Sequence, residues 1–205
     1  VTGGAIFIDR SKEIVDNSKY MDALAVNNPI RDAMRFENAV FADIDIIFDL
    51  YDKAIEFQKK VFHHSWLGFD RRMVETEIDE KRLWKIIDEE QIACIYSVTY
   101  ADPMIWRERS EDPAIYIHRI VTNPDFRGRG YARAITEWAK DFARSNDIRF
   151  VRMDTWGDNQ KLIDYYQDCG FKFLGVTTPE ISDALPKHYV GISLSLFEID
   201  IRSEA

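Results

Sequence analysis

The sequence predicts an α/β fold, with α+β character. Three observations carry this. Short β-branched runs alternate with segments whose apolar residues recur every three or four positions. Two of the runs, Leu83–Ile87 and Ile92–Thr99, flank the turn-like Asp88-Glu89-Glu90-Gln91 and read as a hairpin. A third, from Ile115 to Val121, passes through Asn123-Pro124-Asp125 into a glycine-rich loop and then into a helical pattern.

Composition narrows the class. With 205 residues, one domain is expected, large enough to bury a core. A hydrophobic share of 46% beside 31% charged residues describes a globular protein in water. The net charge of −9 argues against nucleic acid as the main partner and suits a cationic small substrate. Cys94 and Cys169 are too few for a disulfide framework, which points to a reducing, cytoplasmic location. No basic-then-apolar leader pattern and no 18-residue apolar run are present, so neither export nor a membrane span is expected.

Residues 1–33 read as an extension. Gly3–Ile8 suits a short strand and Ile14–Val26 a weak helix ended by Asn27-Asn28-Pro29. An added surface or homodimer contact is the plain expectation, and a lid or swapped element the functional one. Arg35–Phe41 is the first strand of the domain at 34–205. Asp43 is placed to cap a helix running to about Val61, whose Ile46, Ile47, Leu50, Ala54, Phe57 and Val61 keep helical spacing. His63 and His64 follow on a loop, but no spaced Asp, Glu or Cys completes a ligand set, so no metal is expected. Trp66 follows on the same loop, and simple packing is its better reading.

Asp70–Lys81 reads as a second, charged helix, and Cys94 as a small core residue. Asp102-Pro103 ends the strand, and the chain to Pro113 reads as a long connection. After the central strand, Ala132, Ile135, Trp138, Ala139 and Phe142 mark one buried helix face. Ile148–Thr155 is a strand with an acidic residue, Asp154, near its end. A short helix from about Asn159 carries Leu162, Ile163, Tyr166 and Cys169 at helical spacing, and Gly170 suits its left-handed end. Phe171–Val176 and Tyr189–Ile199 are two further strands, joined by the loop Thr177–His188.

The loop Arg127-Gly128-Arg129-Gly130-Tyr131-Ala132 joins a strand to a helix N-terminus, where unpaired N–H groups and the helix dipole favour an anion. Gly128 and Gly130 let a ligand approach the backbone, and Arg127, Arg129 and Arg133 add positive charge to an acidic chain. The P-loop pattern is absent, and Arg133 stands where the dinucleotide fingerprint has its third glycine.

The run instead resembles the R/Q-x-x-G-x-G/A motif of GNAT-family N-acetyltransferases, filled here by Arg127, Gly130 and Ala132. A second element of that family, N-x-x-x-x-x-x-Y-x-x-x-G-F, is matched by Asn159, Tyr166, Gly170 and Phe171. Together with the order of strands and helices, the resemblance covers about Arg35–Ile201. It implies a mixed central sheet of six to seven strands with about four helices, whose central strands splay into an acyl-CoA cleft. It implies acetyl-CoA as cosubstrate, with the loop from Arg127 to Ala132 (Gly128, Arg129, Gly130 and Tyr131 between them) on the pyrophosphate. Backbone groups near Ile120, Val121 and Thr122, and the Asn159 side chain, would hold the pantetheine arm. Asn159 also suits a helix N-cap.

The reaction so implied moves an acetyl group to a primary amine of a small molecule or peptide. An alkylammonium titrates near about 10 and must lose a proton before it attacks. Tyr166 matches the family's general acid, and a phenol holds its proton at neutral pH. Asp154 and His118 are both candidates for the base: the first stands where some members keep a carboxylate, the second has an ordinary titration near about 6.5. Structural readings stand beside them, with Tyr166 as a core ring, Asp154 paired with Arg152 and His118 a satisfied polar residue. A binding module that senses acyl-CoA without turnover, or a transferase for a longer acyl group, would share these motifs.

Overall fold

The computed structural model describes residues 34–61, 65–157, 159–179 and 191–204. The expected extension, His63, His64 and most of the loop to His188 lie outside them. The elements follow in the order β1 (Arg35–Asn38), α1 (Ile44–Val61), α2 (Arg71–Asp79), β2 (Leu83–Asp88) and β3 (Gln91–Thr99). Then come α3 (Pro103–Trp106), β4 (Ala114–Thr122), α4 (Tyr131–Ser145), β5 (Phe150–Trp156), α5 (Gln160–Asp168), β6 (Lys172–Thr177) and β7 (Leu194–Asp200). The seven strands form one mixed sheet in the order β1-β2-β3-β4-β5-β7-β6, in which β4 and β5 are parallel and the other neighbours antiparallel.

The hairpin expected at 83–99 is closed by Glu89 and Glu90, with φ of 50° and 61°, the left-handed pair that a two-residue turn needs to match strand twist. Alternation along the strands sends side chains to two faces. On one, Ile135, Trp138, Ala139 and Phe142 of α4 are fully buried against Trp84, Tyr96, Ile115 and Val151. On the other, Ile47 and Leu50 of α1 and Val74 and Ile78 of α2 cover Leu83, Ile95 and Val121. A third cluster joins Trp106 of α3 to Tyr116, Phe150 and Leu194.

Two local expectations change. Asp43 does not act as the residue before the helix: it ends the 3-10 turn Phe41–Asp43. Its Oδ2 accepts the Val40 N–H at 2.8 Å and Lys85 Nζ at 2.7 Å, because the nearly buried Lys85 needs a counter-charge. The connection after Asp102 is not irregular. It forms the single turn α3 and the 3-10 turn Arg107–Glu111, with Asp102 Oδ1 accepting the Ile105 N–H at 3.4 Å and Pro103 in the first turn.

Buried Arg152 fastens this connection to the sheet. It donates to Asp112 Oδ2 at 2.6 Å, Glu198 Oε2 at 2.8 Å and the Tyr116 hydroxyl at 3.0 Å, and to the Arg109 carbonyl. Asp154 is therefore not its partner.

The middle of the sheet is distorted twice. Between Ile95↔Val121 and Ser97↔His118, β4 takes one residue more than β3. Arg119 sits in that bulge with φ of 50°, a costly conformation for a non-glycine residue. Its guanidinium reaches the Glu77 carboxylate and, at 2.9 Å, Ser97 Oγ. The second distortion is the parting of β4 from β5. Their pairing ends at Ile117↔Met153, while β4 runs on to Thr122 beside β3 and β5 to Trp156 beside β7.

Candidate active site

Beyond Ile117, the β5-facing edge of β4 has no strand beside it, and a gap opens between His118–Thr122 and Asp154–Trp156. His118 and Asp154 lie on the walls of this gap. Asp102, at the start of α3, joins them, and the three offer ligand-type atoms all within 4.8 Å of one another. His118 Nε2 is 3.1 Å from Thr99 Oγ1 and 3.8 Å from Asp102 Oδ2. Asp102 Oδ2 and Asp154 Oδ1 are buried without a hydrogen-bond partner.

Burial sets the protonation of all three. It drives the His118 imidazole down to about 3, with the Arg119 and Arg82 charges adding to the effect. The ring is neutral at neutral pH and a weaker proton acceptor than its ordinary value promised. Burial lifts the Asp154 carboxyl to about 8, and Asp102 adds to the rise. Burial also lifts Asp102 to about 6, against the pull of the Ile105 N–H.

At the far end of β4 the chain turns through Pro124–Phe126 into the glycine loop. Gly128 and Gly130 have φ of 81° and 75°, and Gly130 stands before α4 with no side-chain cap. The first bond into the helix runs from Ala134 N to the Gly130 carbonyl at 3.1 Å, so the N–H groups of Tyr131, Ala132 and Arg133 have no helical partner. A Cβ on Gly128 or Gly130 would meet nothing within 4 Å, so the space before the loop is open. Its arginines are partly engaged: Arg129 pairs with Glu89 at 2.7 Å and Asp88 at 3.1 Å, and Arg127 stacks on Phe57 at 4.3 Å. Tyr131 turns its ring into the core and its hydroxyl to Asp88, leaving its backbone N–H for the loop.

Residues 48–171 match the model of the acetyltransferase (GNAT) family. The chain belongs to that family. Across 87% of this chain and 96% of the relative, it is 23% identical to the uncharacterized N-acetyltransferase YesJ of Bacillus subtilis (strain 168). A GNAT-family acetyltransferase from Listeria monocytogenes 4b F2365 shares the fold with a TM-score of 0.66, at 20% identity over 82% of this chain and 94% of that one. The Salmonella typhimurium protein yncA, solved with its cofactor acetyl-CoA, does so at a TM-score of 0.59 and 14% identity, over 82% and 94% of the two chains. This chain is an enzyme, an N-acetyltransferase.

In this GNAT acetyltransferase, Tyr166 lies on the opposite face of the sheet from His118 and Asp154, in the α4 cluster. Its ring packs against Phe197 at 5.3 Å and Phe171 at 6.2 Å, and burial pushes its hydroxyl well above the usual phenol range. Asn159 precedes α5 and its Oδ1 accepts the Leu162 N–H at 3.3 Å. Val121 and Thr122 pair with Ile95 and Cys94 of β3, and Ile120 stands between the bulge and that pairing. Cys94 is buried and its thiol is pushed up to about 12, so it is no nucleophile.

Sequence reasoning missed Asp88 and could not place Asp102, an acidic residue suited, like Asp43 and Asp154, to recognising a cation. The Asp-Pro dipeptide signals a helix start, but nothing in the sequence brings Asp102 to His118. Among the described residues no helix is long and apolar enough to cross a membrane.

Proposed function

We propose that this enzyme transfers the acetyl group of acetyl-CoA to a primary amine of a small molecule or peptide by direct attack of the amine. The observation that carries this reading is the gap after Ile117↔Met153, with titratable groups on its walls and an open helix N-terminus at its end. When bound, acetyl-CoA supplies an activated thioester. The residues fit it: the uncapped N–H groups of Tyr131, Ala132 and Arg133 suit the pyrophosphate, with Gly128 and Gly130 leaving it room and Arg127 and Arg129 beside it. The strandless edge of Ile120, Val121 and Thr122 suits the pantetheine amides, and Asn159 adds an amide donor at the head of α5. The likeness to yncA, solved with acetyl-CoA, supports this.

Asp154 is the assigned base. Its raised affinity makes it the stronger proton acceptor, and it removes the amine proton that blocks attack. Neutral His118 stands beside Asp154 and Asp102, its Nε2 3.1 Å from Thr99 Oγ1 and 3.8 Å from Asp102 Oδ2. Tyr166, which keeps its proton, donates to the leaving sulfur from the other face. A cytoplasmic setting fits two unpaired, buried cysteines.

The test is thiol release from acetyl-CoA with polyamines, amino acids, aminoglycosides and short peptides, with calorimetric binding of coenzyme A alongside. Turnover with one class and micromolar binding is expected. Failure to bind coenzyme A would overturn the loop assignment. Tight binding with turnover only of a longer acyl-CoA would overturn the acetyl assignment.

A further inference from the structure

We infer that Asp102 and Asp154 together form a receptor for one ammonium group, so that the acceptor is an alkylamine entering the site as a cation. This rests on the reading of the gap as the active site, and it adds a residue and a substrate class to it.

Asp102 uses Oδ1 to cap α3 and turns Oδ2 toward His118, where it finds no donor. Asp154 Oδ1 is likewise buried and unmatched. Orphaned acceptors of this kind each cost about 1–3 kcal/mol and call for a partner. Nearby cations are committed elsewhere. The bulge carries Arg119 away to Glu77 and Ser97, and Arg152 is held by Asp112 and Glu198. Among the described residues, neither Asp102 nor Asp154 is paired with a lysine or arginine. An ammonium brings three N–H donors to two unmatched carboxyl oxygens, and its positive charge favours the ionised form of both carboxyls.

The wall beside them suits the stem of such an amine. Trp156 lies two residues beyond Asp154 on the same face of β5, and its ring is 6.2 Å from that of Trp66. Trp66 is itself held at 5.3 Å from Phe69. Two half-buried indoles give an apolar, electron-rich flank to an alkylammonium. An arylamine, uncharged at neutral pH, brings N–H donors but no positive charge to the two carboxyls.

The experiment is calorimetric titration of n-butylammonium, n-butanol and trifluoroethylamine (which is mostly unprotonated at neutral pH) into the protein, with and without coenzyme A. Zinc is titrated in parallel. We expect n-butylammonium to bind at least tenfold more tightly than either neutral compound. Asp102→Asn keeps the cap acceptor and should lose at least tenfold in that affinity while coenzyme A affinity is unchanged, which also reports an intact fold. Asp154→Asn should do the same. Equal binding of n-butanol, or unchanged amine affinity in both variants, overturns the receptor. So does micromolar zinc that displaces the amine and is itself lost in the same variants, since the cluster would then be a metal site. Failure of coenzyme A binding in the unaltered protein would strike the loop assignment, and amine binding to the free protein would still stand.

Discussion

The Tyr131 hydroxyl donates to the Asp88 carboxylate, and this bond ties the first residue of α4 to the end of the β2–β3 hairpin. Arg129 reaches the same carboxylate from the loop. Asp88 thus fixes both sides of Gly130, where the N–H groups of the proposed pyrophosphate site begin.

Asp88→Ala should therefore loosen the loop without touching the acid cluster. The KM for acetyl-CoA should rise about five- to tenfold with kcat little changed, and losing the two bonds should cost about 1–3 kcal/mol of stability. Steady-state kinetics and thermal unfolding check this; an unchanged KM would separate the network from cofactor binding.

Gly130 holds a left-handed φ with open space before it. Gly130→Ala adds about 1–2 kcal/mol of backbone strain and should weaken coenzyme A modestly. Gly130→Glu places a carboxylate against the pyrophosphate and should abolish measurable binding. Calorimetry of coenzyme A with both variants checks this, and unchanged affinity in the glutamate variant would remove the loop from the site.

Tyr166→Phe keeps the packing against Phe197 and Phe171 and deletes only the proton donor. We expect kcat to fall about 100-fold with coenzyme A affinity retained. An acceptor-saturated rate equal to the parent's would reassign Tyr166 to the core.

Asp154 binds its proton more tightly in the folded state than in the unfolded one, with Asp102 and His118 facing it. The rate should rise with pH as Asp154 ionises near 8, and Asp154→Asn should remove that limb. Stability moves the other way. From the unfolded value near about 4 up to the folded one, the unfolded chain has lost the proton and the folded chain keeps it, so folding weakens as pH rises. Asp154→Asn should thus raise Tm at pH 9, by on the order of 5 °C, and not at pH 4. Thermal melts at the two values check the sign.

The sequence by itself determined the family, the order of the elements and the faces they bury. Periodicity marked Ile135, Trp138, Ala139 and Phe142 as one face, and all four are buried against the sheet. These are local signals: a 3.6-residue repeat, an alternating strand, a glycine loop before a helix. The tertiary structure decided what is non-local. Only the bulge at Arg119 and the parting of β4 from β5 bring His118 to Asp154, and only the Arg152 clamp brings Asp102, from a stretch that read as plain connection, to both. Burial then reset their protonation: a histidine that looked poised as a base became neutral with a value near 3, and an ordinary aspartate rose to about 8. Desolvation depends on the whole surrounding fold, and no residue's neighbours in sequence record it.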